Sequence, residues 1–527
     1  MPIRVGLISL GCAKNLVDSE IMLGTLARDR VEITNDTALA DVVIVNTCSF
    51  IDSAQEESVD TILESAEVRE AQHRGQAVVV AGCLPQRFRS ELPKLMPEID
   101  AFMGLDQVAE VTQVVRQALE HRQQRLAAPP PGRAKKATGA SRPGKASAAR
   151  STPPGAAPPV VQISERSAYI PDYTTPRFKL TPRHLTYVKI AEGCNHPCSF
   201  CIIPQIRGSH RSRPPGDVVQ EARHWLEMGV KELNLISQDT TFYGLDLRPD
   251  RQGSVASPEK FTAATRALPK TSATLASLVR ELNALPGDFW IRLLYTHPAH
   301  WTEELISTIA ECPKVARYVD MPLQHIHPVM LERMRRETSR QYIEDLIGKI
   351  RRGIPGIALR TTFIVGFPGE TEAAFESLKQ FVEQTRFERL GVFTFSPEQG
   401  TRAAAMAQQV PEAVRKKRRD ALMAAQLKIS RQLAGAQLGK TLKVLVEHPA
   451  SPAELQGARI DSWEHGLLRG PDRHRQGLQG NFFVARAEAD APDIDGRVYL
   501  QGDPPLGQFA AAQIVGHTDY DLIAKPA

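Results

Sequence analysis

The sequence predicts an α/β protein in three parts: an N-terminal domain built on a parallel α/β sheet, an open (βα)6 partial TIM-like barrel, and a small C-terminal β-barrel. Strand and helix patterns alternate in residues 1–125 and again in residues 180–436, which is typical of parallel sheets covered by helices. Short strands separated by Gly, Pro and Asp fill residues 437–527, as in OB-like barrels. A chain of 527 residues, 42% of them hydrophobic, can bury several such cores.

Each strand predicted in the N-terminal domain is followed closely by a cysteine. The predicted elements are the strands Val5–Leu10, Val42–Val45 and Ala77–Ala81 and the helices Asp18–Arg28 and Ser53–Glu70. The first helix would be capped by Asp18 or Ser19. Cys12, Cys48 and Cys83 come one to three residues after the three strands. Because parallel strands end at one edge of a sheet, where α/β proteins bind ligands, we expect the three thiols to form a metal site. The alternative is that each cysteine is an ordinary small buried residue.

Residues 126–164 differ in character from the rest of the chain. They are rich in Pro, Ala, Gly and Ser and carry six positive charges but no acid. Such a segment buries too little apolar surface to fold, so we predict a disordered basic linker. Its six charges exceed the net charge of +5 of the whole chain, so the basic balance belongs to the linker. The linker either tethers a nucleic acid or is simply solvated.

Three cysteines lie close together in the segment EGCNHPCSFCIIP. Cys194, Cys198 and Cys201 have the spacing C-x3-C-x2-C, just after a predicted strand. Three thiolates this close can hold three corners of a cubane iron–sulfur cluster and leave one iron open to a ligand. Structural zinc normally needs a fourth Cys or His, and His196 is a candidate for it, so a zinc site is the alternative.

Six strand patterns from residue 185 onward predict the partial barrel, since six are too few for a closed eight-fold one. They are Thr186–Ile190, Glu232–Ile236, Trp290–Leu294, Tyr318–Met321, Leu359–Val365 and Arg389–Phe395. Polar groups follow the second to fifth strands, as at a barrel's active edge: Ser237, Gln238, Asp239, His297, Gln324, His325 and the turn Gly366–Glu370. The histidines either contact a ligand or are solvated, and the turn either contacts a ligand or is only a tight connection. An insertion, Gly244–Thr274, is either a lid or a surface elaboration.

The terminal β-module is acidic. Its predicted strands are Leu442–Glu447, Leu467–Gly470, Phe482–Ala485, Val498–Leu500 and Gln513–His517. From residue 436 onward there are nine bases and twelve acids, and nine minus twelve gives −3. A negative module repels a phosphate backbone and attracts a basic protein. We therefore expect acids such as Asp490, Asp493 and Asp495 to steer a basic protein toward the barrel.

Cysteine usage indicates a reducing compartment. The seven cysteines are too few for a disulfide scaffold, and six fall into two sets of three, with Cys312 as the remainder. The first residues lack the features of a signal peptide, and no run approaches the roughly 18 apolar residues of a membrane helix. We therefore expect a cytoplasmic protein without a membrane segment.

Several segments resemble the radical S-adenosylmethionine (SAM) enzymes called methylthiotransferases. The C-x3-C-x2-C spacing after a strand resembles the signature of the radical SAM superfamily. The combination of two cysteine triads, a partial barrel and a TRAM-like terminal β-barrel resembles the methylthiotransferases. SLGCAKNLVDSE at Ser9–Glu20, NTCSFIDSA at Asn46–Ala54, and the segments RTTFIVGFPGET, APDIDG and DYDLI look like the RimO branch of that family. Ala13 departs from the Pro of most members of that branch.

The resemblance implies an activity and its cofactors. The implied reaction adds a methylthio group to the β-carbon of an aspartate in ribosomal protein S-twelve of the small subunit. Its cofactors would be two [4Fe-4S] clusters, one on each cysteine triad, and SAM. The implied SAM contacts are Ser237, Gln238, Asp239, Gly366, Pro368 and Glu370. The implied partners are the ribosomal protein and an electron donor such as flavodoxin or ferredoxin, and the enzyme would be a monomer.

Two other functions compete with this interpretation. A tRNA methylthiotransferase would share all six cysteines, but the acidic terminal module speaks against it. A non-catalytic iron–sulfur electron carrier would need neither an open barrel nor the Gly366–Glu370 turn.

Overall fold

The computed structural model describes residues 2–127, 157–248, 257–269, 271–455, 460–462, 467–469 and 480–527. These residues form two compact units, one of Met1–Leu180 with Gln205–Gly208 and one of Thr181–Pro204 with Ser209–Ala527. The α/β fold class is confirmed, with two parallel sheets and a small closed barrel. Within the described ranges, every helix is too short or too polar to cross a bilayer.

The first unit is built on a six-stranded parallel sheet. Its elements are β1 (Arg4–Ser9), α1 (Ala13–Arg28), β2 (Glu32–Ile33), β3 (Val42–Thr47), α2 (Asp52–Gln72), β4 (Ala77–Gly82), α3 (Cys83–Arg87), α4 (Leu92–Leu95), β5 (Ala101–Met103), α5 (Val111–Ala127) and β6 (Val160–Gln162). The strand order is β2-β1-β3-β4-β5-β6. Every residue of the central strands β3 and β4 is buried, as expected for strands that are covered on both faces.

The predicted linker is partly wrong. Val160–Gln162 lies inside residues 126–164, yet it forms the sixth strand and pairs in parallel with β5, Ala101 opposite Val160. The short apolar run Val160-Val161 supplies the β-propensity, but its Pro-rich flank hides that signal. The prediction of disorder for residues 128–156 falls outside the described residues.

Helix α1 begins five residues earlier than predicted. Cys12 is its N-cap residue, and the two predicted caps, Asp18 and Ser19, lie in the second turn and are buried. Asp and Asn are favoured at helix caps, which makes an Asp an attractive but misleading start signal. Here Asn15 and Asp18 instead turn polar side chains inward, toward the strand ends of the sheet.

The second unit contains the predicted open barrel. Its elements are β7 (Leu185–Lys189), β8 (Ala191–Glu192), α6 (Ile203–Arg207, which enters the first unit at residue 205), β9 (Arg211–Ser212), α7 (Pro215–Glu227), β10 (Glu232–Ile236), α8 (Pro258–Arg266), α9 (Leu275–Asn283), β11 (Trp290–Leu293), α10 (Glu303–Glu311), β12 (Val315–Asp320), α11 (Pro328–Arg333), α12 (Arg340–Gly353), β13 (Ala358–Val365), α13 (Glu372–Thr385), β14 (Arg389–Thr394) and α14 (Glu412–Gly435). The six main strands pair in parallel in the order β14-β13-β12-β11-β10-β7 and do not close. The predicted strands are thus confirmed, with bounds that shift by up to three residues.

The insertion Gly244–Thr274 is not a simple surface loop in its described part. Helix α8 packs Phe261 against Phe242 and Leu245 in a small apolar cluster. The Phe261 ring also stacks on that of His300, with ring centroids 4.4 Å apart. This contact places α8 beside the loops that follow the barrel strands, as a lid would require.

The terminal module is a closed five-stranded barrel. Its elements are β15 (Thr441–Pro449), α15 (Pro452–Leu455), β16 (Ile460–Ser462), β17 (Leu467–Arg469), β18 (Phe482–Ala487), β19 (Val498–Gln501), β20 (Phe509–His517) and β21 (Leu522–Pro526). The barrel order is β15-β18-β19-β21-β20. The predicted strand at Leu467 is present and, among the residues that the structure describes, pairs with β16 alone, outside the barrel. The missed strand β21 closes the barrel by pairing in parallel with β19.

Buried ion pairs join this barrel to the partial barrel within the second unit. Glu232 on β10 is fully buried between Arg292 on β11 and Arg486 on β18. Arg486 also donates to Glu447 at 2.8 Å, and these contacts hold the pKa of Glu447 at about 2 despite its burial. A buried carboxylate is stable only when such partners are retained.

The predicted role of the terminal acids is wrong for two of them. Asp490 pairs with Arg389, and Asp495 accepts from the Tyr318 hydroxyl at 2.7 Å. Both aspartates are at most 4% exposed, so they cannot present their charge to a basic protein. A charge count does not show which acids are already paired inside the fold.

Arg486→Met tests this network. The change should destabilise the protein by about 3–5 kcal/mol, because it removes one of the two cationic partners of the fully buried Glu232. The measurement is the urea midpoint of the cluster-loaded protein under anaerobic conditions.

Arg431→Met is the matched control. Arg431 pairs with Asp519 at the surface, its side chain 54% exposed, so its loss should cost at most about 1 kcal/mol. Equal midpoints for the two variants would show that the buried network contributes no more than a surface pair.

Candidate metal centres

The structure brings the first cysteine triad to one edge of the parallel sheet. Cys12, Cys48 and Cys83 follow β1, β3 and β4, and Cys48 and Cys83 are buried. Gly11 shows how tightly they pack: it has a φ of 85°, and a Cβ there would lie 3.1 Å from the Cys48 sulfur. The cysteines are free thiols rather than disulfides.

Asn15 and Arg207 hold the Cys83 side of this triad, and sequence reasoning missed both. Asn15 Nδ2 donates to the Thr47 carbonyl at 2.7 Å, which ties α1 to the end of β3. Its Oδ1 accepts from Arg207 Nη2 at 2.7 Å and lies 3.6 Å from Cys83 Sγ. Arg207 Nη2 lies 3.5 Å from the same sulfur and 3.1 Å from Asp18 Oδ2. The Cys83 sulfur therefore lies beside a cationic donor, Arg207, whose charge is balanced by Asp18.

The electrostatics of the first triad favour a bound cation. Burial raises the pKa of Cys83, Arg207 opposes that shift, and the neighbouring Cys12 thiol adds to it. Buried thiols that raise each other's pKa become thiolates readily only when a metal compensates their charge. Three soft sulfur donors with an N–H donor behind one of them fit an iron–sulfur cluster.

The second triad lies on the loop that follows β7 and β8. The Cys201 N–H donates to the Cys198 carbonyl at 3.2 Å and tightens the loop. Two N–H groups point at sulfur: the His196 backbone N–H at Cys194 Sγ and Arg336 Nη1 at Cys198 Sγ, each at 3.5 Å. These donors suit thiolate acceptors and therefore the same class of cluster.

Burial also dominates the pKa values of this triad. It raises the pKa of Cys194 well above the ordinary value, with Cys201 and Asp239 acting in the same direction. It raises the pKa of Cys201 to about 12, again with a contribution from a neighbouring thiol, Cys198. A cation bound by the three sulfurs would reverse these shifts.

The geometry does not favour His196 as a zinc ligand. Its Nε2 lies 2.9 Å from Asp239 Oδ2 and its Nδ1 lies 3.2 Å from Glu337 Oε2. Burial would lower the pKa of His196, but these hydrogen bonds raise it to about 9. Nitrogen atoms of His196, His297 and His300 lie within 4.8 Å of one another, but both ring nitrogens of His196 are already engaged by carboxylates.

The predicted SAM-binding loop after β10 is anchored by its aspartate. Asp239 Oδ1 accepts from the Thr241 hydroxyl at 2.7 Å, and Oδ2 lies 2.6 Å from His300 Nδ1. Ser237 is buried, with its hydroxyl 3.3 Å from that of Thr240. Gln238 Nε2 donates to Glu192 at 3.1 Å, while its Oε1 is buried and has no partner among the described residues. Gln238 thus retains a free acceptor, whereas Asp239 is engaged within the fold.

The turn after β13 is fixed by its own glutamate. Glu370 Oε2 accepts from the Gly366 N–H at 2.7 Å and from Arg418 Nη1 at 2.6 Å. Arg333 Nε donates to the Pro368 carbonyl at 2.9 Å. Gly366 has a φ of 72°, a conformation that few other residues adopt without strain. These contacts hold the turn in its observed conformation.

The two histidines for which the sequence left a ligand contact or a solvated position open, His297 and His325, are both buried. His325 is fully buried and lies 3.1 Å from Glu370 Oε1, so it supports the turn. His297 stacks on His196 with ring centroids 3.5 Å apart, and its Nδ1 accepts from the Ala299 N–H at 3.3 Å. Burial and then the charge of Arg336 hold the pKa of His297 well below its usual range. Its Nε2 is buried and unpartnered among the described residues.

Comparison with protein families matches three parts of the chain. Residues 4–104 match the "Uncharacterized protein family UPF0004", residues 188–382 the radical SAM superfamily, and residues 475–526 the TRAM domain. The first match contains the first triad and the second match contains the other.

Curated relatives match nearly the whole chain. A protein of Opitutus terrae named ribosomal protein uS12 methylthiotransferase RimO is 49% identical and covers 99% of this chain and 97% of its own. A protein of Akkermansia muciniphila with the same name is 44% identical over 100% of both chains. Among solved structures, the radical SAM methyltransferase TsrM from Kitasatospora setae has a TM-score of 0.45 and 17% identity over 76% of this chain and 77% of its own. That structural similarity is too low to bear on function.

Gly11→Ala tests the packing of the first triad. The added Cβ would lie 2.7 Å from Cys48 Cβ at a φ that disfavours alanine, so Cys48 must move. We expect a loss of bound iron after anaerobic reconstitution, measured by metal analysis.

Gly75→Ala is the control. A Cβ at Gly75 meets nothing within 4 Å, so this variant should bind iron like the wild type. An unchanged iron content in Gly11→Ala would show that this close packing is not needed for metal binding.

Proposed function

Since the chain belongs to the family of ribosomal protein uS12 methylthiotransferases (RimO), we propose that it adds a methylthio group to the β-carbon of an aspartate in that ribosomal protein. It is a radical SAM methylthiotransferase. The observation that carries the proposal is the position of Cys194, Cys198 and Cys201 on the loop after the first strand of an open parallel barrel. Ligands bind at this end of parallel strands.

The chemistry of the substrate carbon explains why a radical is needed. The β-carbon of an aspartate has neither a usefully acidic proton nor a leaving group, so acid–base residues alone cannot replace its C–H bond with C–S. When bound, a reduced [4Fe-4S] cluster with SAM supplies a 5′-deoxyadenosyl radical that abstracts hydrogen from such a carbon. The protein itself has to bind the cofactors and the substrate, orient them and exclude water.

We propose that residues of the open barrel perform that work. Cys194, Cys198 and Cys201 would hold the cluster, and the N–H groups of His196 and Arg336 would donate to its thiolates. The proposed SAM contacts are Ser237, Gln238, Asp239, Gly366, Pro368 and Glu370. Because Asp239 and Glu370 are engaged within the fold, they would act mainly by fixing the two loops.

We propose that Cys12, Cys48 and Cys83 hold a second [4Fe-4S] cluster. Its support is the three thiols at one sheet edge, with Arg207 donating toward Cys83. A methylthiotransferase needs a sulfur source as well as a radical, and a cluster with one open iron can present sulfur to a substrate. Arg207 would stabilise the added negative charge there.

The proposed partners are the ribosomal protein and an electron donor of the flavodoxin or ferredoxin type, and the proposed state is a monomer. A tRNA methylthiotransferase remains the nearest alternative by chemistry, but the curated relatives described above are named for uS12. An electron carrier is not favoured, since it has no use for the rigid polar loops at the open barrel edge.

Changing each triad to Ala tests the two-cluster proposal. Replacing Cys194, Cys198 and Cys201 should halve the bound iron and abolish 5′-deoxyadenosine formation from SAM. Replacing Cys12, Cys48 and Cys83 should also halve the iron but leave SAM cleavage largely intact. The measurements are iron analysis and chromatography of the reduced enzyme. A full iron content in the second variant would refute the second cluster.

Substrate choice is tested separately by mass spectrometry. The reduced enzyme, SAM and a sulfide source are incubated with ribosomal protein uS12 or with tRNA. We expect one added methylthio group on an aspartate of the protein and no change in the tRNA, with the first triple variant as the inactive control. Methylthiolated tRNA with unmodified uS12 would instead support the alternative function.

A further inference from the structure

Helix α14 begins with a dense run of positive charge. Residues 415–419 read Arg-Lys-Lys-Arg-Arg, and residues 412–420 contain five bases and two acids, so five minus two gives +3. Lys416 and Lys417 are exposed and Arg419 is half-buried. These three residues are called the basic face below.

Two other arginines of this run turn inward and fix the helix to the active edge of the barrel. Arg418 Nη1 donates to Glu370 Oε2 at 2.6 Å, and Arg415 Nη1 donates to the Phe395 carbonyl just after β14. A Cβ at Gly366 would overlap the Arg415 side chain. The start of α14, and with it the basic face, is therefore held beside the turn that follows β13.

The charges of the basic face are available to a partner. Lys416 Nζ lies 2.5 Å from Glu412, and Arg419 Nη2 lies 2.8 Å from Asp420. The two carboxylate side chains are 68% and 61% exposed. Because exposed pairs of this kind contribute at most about 1 kcal/mol, the acidic groups of a partner can replace them.

The segment that precedes α14 lies against the second cysteine loop. The Ala403 N–H donates to the carbonyl of Ser199, which follows Cys198, at 2.9 Å. Ala403 also packs in one apolar cluster with Phe200 of that loop. Its neighbour Arg402 is exposed. An exposed cation is thus adjacent to a residue that hydrogen-bonds to the cysteine loop, so the protein surface is close to the second triad here.

The same segment connects the cysteine loop to the basic face. The Gly369 N–H donates to the Gln408 carbonyl at 2.8 Å, and Gln409 Nε2 donates to the Ala403 carbonyl at 3.1 Å. Residues 402–409 therefore run from the cysteine loop to the turn after β13, which is also the turn that α14 contacts.

We propose that the basic face, together with Arg402, is the docking surface for an acidic protein that donates electrons to the second triad. The inference rests on the proposed function and deepens it by locating one of its partners. Each SAM that is cleaved consumes one electron, and a reduced flavodoxin supplies it as its flavin hydroquinone is oxidised to the semiquinone. Electron-transfer complexes are small and transient, and complementary charge speeds their formation.

A phosphate backbone is the other anion that such a face can bind. The contact of residues 402–409 with the cysteine loop favours the electron donor. Electron transfer requires a close approach to the cluster, whereas binding of RNA at this surface does not.

The experiment compares two electron sources in the triple variant Lys416→Gln, Lys417→Gln and Arg419→Gln. Formation of 5′-deoxyadenosine by the cluster-loaded full chain is measured with a limiting amount of reduced flavodoxin, or with dithionite, which needs no docking surface. With flavodoxin at low salt, the variant should be about 10-fold slower than the wild type, because it has lost electrostatic steering. The difference should shrink to about twofold at high salt, which screens exposed charges, and the dithionite rates should agree within about twofold.

The matched control is the triple variant Lys428→Gln, Arg431→Gln and Lys440→Gln. It removes the same net charge from exposed residues at the other end of α14 and just beyond it, and Lys428 lies about 16 Å along the helix from Lys417. Both of its rates should match those of the wild type.

An unchanged flavodoxin-driven rate in the first variant would overturn the proposal, as would an equal loss in the two variants or an equal loss with both electron sources. If the first variant kept its flavodoxin-driven rate but modified uS12 within the small ribosomal subunit more slowly than free uS12, the basic face would be an RNA-binding surface instead. A wild-type protein that forms no 5′-deoxyadenosine with dithionite would contradict the proposed function itself.

Discussion

Both cysteine triads depend on one constraint: the negative charge of a buried thiolate must be compensated by a nearby positive charge. A thiol in an apolar environment resists ionisation, and the pKa values of Cys83, Cys194 and Cys201 are all raised by burial. Each triad therefore has an arginine that donates to one of its sulfurs, Arg207 in the first unit and Arg336 in the second. The two arginines differ in that, among the described residues, Arg207 has a carboxylate partner, Asp18, and Arg336 has none.

Rigidity of the barrel edge follows from acids that bond to the protein itself. Asp239 joins His196 and His300, and Glu370 joins His325 and Arg418. These pairs hold the cysteine loop and the loops after the strands in place. A bound cofactor would therefore cost less conformational entropy, because the loops are already ordered. The polar residues of such an edge can therefore matter for function without touching a ligand.

The sequence predicts best those features of the fold and the site that depend on local residue patterns. Strand runs and the cysteines just beyond them were sufficient to place Cys12, Cys48 and Cys83 at one edge, because parallel strands share a direction. Local patterns do not reveal Arg207, because its contact with Asn15 spans 192 residues of sequence and no periodicity marks it. A charge count likewise does not reveal that Asp490 pairs with Arg389.

The terminal barrel is not an interchangeable module, because its Arg486 pairs with a residue of the partial barrel. Arg486 completes the environment of Glu232, a residue of the partial barrel, and Arg292 of that barrel donates to the Glu488 carbonyl at 2.7 Å. A chimera that exchanged this barrel for a homologous one would keep the buried Glu232 paired on both sides only if the incoming barrel supplied an arginine in the place of Arg486. Within the second unit the two barrels are therefore coupled through buried charge, even though each has its own hydrophobic core.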